Sequence, residues 1–258
     1  MGSEAGILMK SELDHFKVIN VLGTGIHAIR MEELIGICRE RIESREHLLI
    51  GVTNVAKIIN CRKDEELRRS LEEPDLIVAD GMPIVWLSKM MGTPLPERVA
   101  GIDIFYKLLE LSSVNNYAVY FFGAKRPVVE KAVEYTKENY PGTRIAGYHD
   151  GYFTESQEKE IAQDIKNSSA DIVFVAMTPP KKEIFLRRWG RYIGVPVCHG
   201  VGGSFDVVAG VTRRAPLWMQ KSGLEWLYRL IQEPRRMWKR YLVTNSAFVV
   251  LSLAAIAR

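Results

Sequence analysis

The sequence predicts an α/β fold, a mostly parallel Rossmann-like sheet with helices on both faces, followed by a basic helical C-terminal appendage. Three observations predict it. Short apolar runs of strand length recur through the first 200 residues, and most lead into a stretch with helically spaced apolar residues. Runs such as Leu76-Ile77-Val78 and Asp171 to Ala176 are almost continuously apolar, which suits strands covered on both faces. Beyond residue 210 the strands give way to basic, aromatic-rich helical sequence. The expected domains are therefore residues 1–210, an α/β body, and 211–258, the appendage.

Val18 to Leu22 is the first strand candidate. Gly23-Thr24-Gly25-Ile26-His27-Ala28 follows it and imitates a G-x-G-x-x-A dinucleotide loop. That motif wants an acid at the end of the second strand, and here the second strand, Leu48 to Asn54, ends in Thr53-Asn54. A nicotinamide or flavin oxidoreductase is disfavoured on that ground. Met31 to His47 places Met31, Leu34, Ile35, Cys38 and Ile42 at helical spacing. Ala56 to Asn60 and Asp64 to Leu71 read as short helices. The strand Leu76-Ile77-Val78 ends at Ala79-Asp80-Gly81, and Pro83 suits a helix first turn. A loop, Pro94 to Gly101, precedes a helix over Asp103 to Leu111. Tyr117 to Phe122 is a strand, Pro127 to Tyr140 a helix closed by Pro141-Gly142, and Arg144 to Gly147 a short strand. Thr154 reads as the N-cap of a helix over Glu155 to Asn167. Asp171 to Ala176 is a strand, and Thr178 to Glu183 opens the next helix. Val195 to Cys198 then leads into His199-Gly200-Val201-Gly202-Gly203-Ser204-Phe205-Asp206.

The 258 residues suffice for one large domain with an appendage. Apolar content of 47% and charged content of 26% are ordinary for a soluble globular protein. No run reaches the ~18 apolar residues of a membrane span. Met1 to Lys10 lacks a basic start and a long apolar core, so no signal peptide is expected. Cys38, Cys61 and Cys198 are scattered, which points to reduced thiols in a cytoplasmic protein without a disulfide or zinc frame. The five histidines have no metal-ligand spacing and no D-x-D pair stands where a metal-dependent nucleotide-sugar enzyme would need it, so neither metal nor cofactor is expected. Charge is uneven. Residues 211–258 hold nine lysines and arginines against two glutamates, a net +7, on a body of −3, within a whole-chain +4. A basic end on a slightly acidic body suggests an anionic partner.

In parallel sheets ligands sit off the carboxyl ends of the strands. That rule gathers Thr53-Asn54, Asp80-Gly81, Gly123-Ala124-Lys125, Thr178 to Lys182 and the glycine loop, and it moves the last from a plain turn to a ligand site. Bare glycine backbone lets N–H groups approach a phosphate. Asp80 either caps the helix near Pro83 or serves as a general base or sugar-orienting group. Arg98 is a solvated charge or a phosphate clamp. Tyr152 is a core residue or a ring that stacks on a base. Ala247 to Ala257 is an interfacial membrane helix or a terminal helix packed on the body. Nucleic acid is disfavoured because the body lacks a basic face.

These residues together resemble the WecG/TagA/CpsF glycosyltransferases. The resemblance rests on Asp80-Gly81, Pro94 to Gly101, Gly151-Tyr152-Phe153, Pro180-Lys181 with Glu183, Gly200 to Asp206, Arg213-Arg214-Ala215-Pro216, and Gly223 to Arg229 followed by Glu233-Pro234. It covers the chain from about Val18 to Tyr241. It implies inverting, metal-independent transfer of a hexose, N-acetylhexosamine or uronic acid from a UDP-sugar to a polyprenyl-pyrophosphate-linked saccharide. Surface polysaccharide, teichoic acid or exopolysaccharide would be the product. By resemblance Asp80 is the catalytic base, with Thr53 and Asn54 beside it. Gly202, Gly203 and Asp206 cradle UDP, Tyr152 stacks on uracil, and Arg98 clamps near the donor. Arg229 and Arg236, with Arg240, close over the site and neutralise the leaving diphosphate. Arg235, Trp238, Lys239 and Arg240 are expected to meet membrane or acceptor. The resemblance further implies a peripheral protein on the cytoplasmic face of the plasma membrane, with a tail linked to homo-oligomer formation.

Two positions depart from the family pattern. Val52 stands where a threonine is usual, two residues before Asn54, and Lys182 stands where a glutamine is usual. An extra cation there could read an acidic donor sugar or help to hold the diphosphate. A nucleotide-binding scaffold that has lost catalysis is the competing reading.

Overall fold

The computed structural model describes Leu13 and residues 15–256, without the side chains of Ser70 and Arg236. Met1 to Lys10, expected to carry no signal peptide, lies outside the described residues, as do Ala257 and Arg258.

The first strand candidate is one arm of a hairpin. Strands β1 (Val18–Val21) and β2 (Thr24–His27) pair antiparallel, with Val21 opposite Thr24, apart from the main sheet. Leu22 and Gly23, at φ 53° and 91°, form the two-residue turn, and the Asn20 side chain accepts the Gly23 N–H at 2.8 Å. Left-handed φ at both turn positions matches the strand twist. Gly23 therefore serves a turn, and Gly25 lies within β2.

Six strands form the main sheet: β3 (Leu48–Thr53), β4 (Leu76–Ala79), β5 (Ala118–Gly123), β6 (Arg144–His149), β7 (Ile172–Ala176) and β8 (Val197–Gly200). Their order is β4-β3-β8-β7-β5-β6, and every pair is parallel. Strands β4, β5 and β7 are buried at every residue, as their unbroken apolar sequence requires. One face is covered by α1 (Met31–Ser44), α5 (Gly101–Asn115) and α6 (Arg126–Asn139), which contribute Leu34, Phe105 and Val129 to the core. The other is covered by α7 (Glu158–Asn167) and α8 (Lys181–Ile193), through Ile161, Phe185 and Ile193. Thr154 caps a short 3₁₀ turn, Glu155–Gln157, which leads into α7.

The remaining helices are α2 (Val55–Asn60), α3 (Glu65–Glu72), α4 (Met82–Met90), α9 (Ser204–Val208), α10 (Leu217–Lys221), α11 (Glu225–Gln232) and α12 (Pro234–Ile256). Lys57 of α2 meets Glu183 on the α8 side of the sheet, while Phe205 of α9 joins the core on the opposite side. The chain thus leaves β3 and β8, neighbours in the sheet, toward opposite faces. That divergence opens a crevice at their carboxyl ends, the usual ligand position in such sheets. The long α12 lays Phe248 into a third cluster with Ile19, Ile26, Ile58, Ala79 and Ile84. The apolar run from Ala247 therefore packs one side on the body, and its other side exposes Val249, Val250 and Leu253.

Candidate active site

Asp80 follows the buried Leu-Ile-Val-Ala of β4 and donates its N–H to the Thr53 carbonyl at 2.8 Å, which ties the ends of β3 and β4 together. Helix α4 begins behind Gly81 with no side-chain cap, so the capping role considered for Asp80 is not the one it plays. Its carboxylate acts on Arg98, on Lys182 and on Tyr241, which come from a loop, from α8 and from α12. Three segments distant in the chain thus lie within electrostatic reach of this acid.

Thr53 is fully buried, and its hydroxyl has no hydrogen-bond partner among the described residues. The β3–β4 register runs unbroken from Ile50 to Thr53, so Val52 and Thr53 point to opposite faces with no slip to exchange them. Val52 packs near Gly101 on the α5 side. The Asn54 side chain is the N-cap of α2, accepting the Lys57 N–H at 3.1 Å.

Arg98 is not a solvated charge. Its side chain is 11% exposed, bonded to Glu225 of α11, and 3.3 Å from Asp103 of α5. Arg214 completes an alternating cluster, 2.5 Å from Asp103 and 4.0 Å from Glu225. Burial opposes the Arg98 charge, but Glu225, Asp80 and Asp103 outweigh it and hold its pKa above the ordinary value.

Lys182 is buried at the head of α8. Its stem crosses Gly200 so closely that a Cβ there would lie 2.8 Å from Cε and 3.1 Å from Nζ. A side chain at position 200 would have to push the Lys182 stem aside. Burial, and then Lys57, push the Lys182 pKa down to about 8 against the pull of Glu183 and Asp80. Glu183 lies 3.4 Å from Lys182 Nζ and 3.1 Å from Lys57 Nζ. Burial would raise its pKa, but the two lysines bring it below the usual carboxylate value. Beside them a cavity of about 30 Å³ is bounded by Val52, Lys57, Lys182, Glu183 and Gly200.

The glycine loop follows β8. Gly202 takes φ 55°, Gly203 is exposed, and Asp206 is half-buried on α9. Phe205 anchors the loop from below, 5.6 Å from Phe121 and 6.0 Å from Phe105. Tyr152 is 70% exposed, which excludes a core role. Its loop folds back from edge strand β6: Gly151 donates to the Ala124 carbonyl at 2.8 Å, and Lys181 donates to the Gly151 carbonyl at 2.9 Å. Tyr152 consequently stands over β5 and β7, apart from the Asp80 group.

In the appendage, Arg229 is exposed and close enough to Tyr241 to lower that phenol's pKa, which burial raises overall. Arg240 acts on Tyr241 in the same direction. Arg235, Trp238 and Lys239 lie exposed on the first turns of α12. The Arg236 side chain lies outside the described residues. The structure thus groups Asp80, Thr53, Asn54, Arg98, Lys182 and the glycine loop around the β3–β4–β8 crevice. Lys57 and Tyr241 escaped the sequence reading: a lysine within an apolar helix and a tyrosine in a basic tail carry no spacing signal. A cleft of about 320 Å³ between Asn60, Lys63, Asp64 and Pro179-Pro180 contains none of the candidate residues.

A doubly wound sheet with an acid, a glycine loop and several cations at its carboxyl edge fits an enzyme that handles anionic, phosphate-bearing substrates. The profile of the "Glycosyl transferase WecG/TagA/CpsF family" matches residues 19–258, and the chain belongs to that family. It is 40% identical over 172 residues to the N-acetylglucosaminyldiphosphoundecaprenol N-acetyl-beta-D-mannosaminyltransferase of Bacillus spizizenii (67% of this chain, 66% of the relative). It is 35% identical over 211 residues to the enzyme of the same name from Bacillus subtilis (81% of each).

Proposed function

We propose that the chain moves an N-acetylhexosamine from a UDP-sugar to a saccharide on a polyprenyl diphosphate, with Asp80 as general base. The observation that carries this reading is Asp80: an acid at the crevice, committed to no cap, facing groups from three segments. The relatives are named as N-acetylmannosaminyltransferases acting on a lipid-linked N-acetylglucosaminyl diphosphate, which makes N-acetylmannosamine the first donor sugar to test. Hexose and uronic acid donors remain in the same screen, the latter because of Lys182.

In the reaction Asp80 takes the proton of the acceptor hydroxyl as its oxygen attacks the anomeric carbon. The bond from that carbon to the diphosphate oxygen breaks on the opposite face, its electron pair leaves with UDP, and the configuration inverts. Thr53 and Asn54 line the base. Gly202 and Gly203 offer backbone N–H groups to the diphosphate, and Asp206 holds the ribose. Tyr152 stacks on uracil. Arg98, Lys182, Arg229, Arg236 and Arg240 meet the charge that develops on the leaving group.

Residues 1–210 form the catalytic body in this reading, and 211–258 the part that completes the site and touches the membrane. No helix of the described residues is long and apolar enough to cross a membrane. The exposed side of α12 carries Trp238, Leu242, Val249 and Leu253 beside Arg235, Lys239 and Arg240. That mixture suits the anionic cytoplasmic face of the plasma membrane. Off the membrane, the same side is available for a homo-oligomer.

The test measures UDP release from a panel of UDP-sugars with a lipid-linked N-acetylglucosaminyl diphosphate. Asp80→Asn is expected to cut turnover at least ~100-fold while UDP still binds. UDP binding without turnover on any lipid-linked acceptor would instead support the scaffold reading.

A further inference from the structure

Below the glycine loop, three charged side chains meet in the protein interior. Lys57, Lys182 and Glu183 have side chains 13%, 9% and 7% exposed. A buried ion pair that served the fold alone would match one cation to one anion, and such pairs stabilise little. Here two lysines share the one carboxylate within contact distance, so the contact cluster carries a positive charge beyond its own anion, and the next carboxylate acting on Lys182 is Asp80 of the crevice. Lys57 is spoken for: Nζ donates to the Val52 carbonyl at 2.8 Å and reaches Glu183 at 3.1 Å, bracing the end of β3 next to Thr53. Lys182 is the surplus. It is threaded over Gly200 onto the crevice side, where the Asp80 carboxylate pulls its pKa upward against burial. The other groups facing it are His199, from β8, and Lys57; Glu73 and Arg187 line the adjoining cavity.

We propose that Glu183 is a positioning residue that holds Lys182 across Gly200, so that the surplus ammonium meets the donor diphosphate, and pins Lys57 against the end of β3. The proposal rests on the reading that this site takes a UDP-linked donor. It gives the buried cluster a purpose that folding alone does not: a fixed, desolvated cation binds a phosphoryl oxygen without reorganising.

The experiment measures UDP affinity by calorimetry between pH 6.5 and 9 for the full chain. Wild-type affinity is expected to decline above about pH 8, where Lys182 loses its proton. Lys182→Met should bind UDP about tenfold more weakly at pH 7.5 and show no such decline. Glu183→Gln should bind about tenfold more weakly, with its decline starting at lower pH, because the remaining Lys57 disfavours a second charge. Glu183→Asp should restore part of the affinity. Wild-type UDP affinity in Lys182→Met, or a pH profile in Glu183→Gln unchanged from wild type, overturns the proposal. Should Glu183→Gln fail to fold, Lys182→Met and the wild-type profile still decide it. The two readings fail separately. Transfer to a lipid-linked acceptor with pH-independent UDP affinity defeats the positioning role alone. The expected pH profile without transfer to any acceptor defeats the transferase reading alone.

Discussion

His199 ends up neutral because β8 is dry at that position. It has no exposed surface, burial drives its pKa down to about 4, and its Nε2–H donates to the Gly101 carbonyl at 3.0 Å. Between pH 6.5 and about 4 the unfolded chain binds a proton there that the folded chain does not. Stability should therefore fall as pH drops through that window, by about 3 kcal/mol in all. His27, also lowered mainly by burial, acts in the same direction. Urea unfolding across pH 7 to 4 checks this: His199→Gln should flatten the slope, and an unchanged slope would refute the assignment. Lys182 titrates in a different window. Its pKa falls from 10.5 to about 8 on folding, so the unfolded chain holds the extra proton between those values, and stability rises with pH there. Lys182→Met should then stabilise the protein at pH 7 by ~1–3 kcal/mol, a gain that vanishes above about pH 10.5. A variant less stable than wild type at pH 7 would show that the cluster serves the fold. Stability set against donor affinity at one residue is common at functional sites.

At the scale of elements, the glycine loop was legible because its signal is local: a strand, then three glycines within four residues. What fixes it in place was not. Phe205, a few residues on, is fully buried between α5 and β5, and it is the fully buried apolar anchor of α9, with Val208 only partly buried beside it. Phe205→Ala should cost about 3–5 kcal/mol in chemical denaturation and weaken UDP binding as well. A variant that loses stability but binds UDP like wild type would separate the anchor from the site. The Arg98 cluster works between elements. Glu225 is 127 residues from Arg98 in the chain, and no periodicity joins them. The loop from Pro94 to Gly101 and α11 are held together by this pairing, so Arg98 and the appendage cannot be considered apart. Glu225→Ala should cost ~2 kcal/mol, since it leaves Arg98 and Arg214 partly buried with Asp103 as their shared ion-pair partner. Arg98→Ala made in the Glu225→Ala background should cost less than it does alone, as measured by a double-mutant cycle.

Across the whole molecule, the appendage reaches the site and the surface together. One side of α12 brings Tyr241 near Asp80 and Phe248 into the core, and the other presents apolar and basic side chains outward. Arg235→Gln with Lys239→Gln should weaken binding to vesicles rich in anionic lipid about thirtyfold, at roughly 1 kcal/mol per charge, and leave UDP affinity unchanged. Equal binding by the double variant would remove the membrane role from this face. The sequence by itself determined the parallel α/β body, the strand-end positions of Asp80 and the glycine loop, and the family, because apolar periodicity and strand-end residues are properties of neighbours in the chain. It also presented a false lead in Gly23 to Ala28: a hairpin turn and a phosphate loop both need glycine, and only pairing partners tell them apart. Tertiary structure alone decided that Arg98 is held by Glu225, that Tyr152 stands apart from Asp80, and that Lys57, Lys182 and Glu183 share one buried site. The reason is physical: such contacts depend on which helix leaves which strand toward which face, and no spacing along the chain encodes that choice.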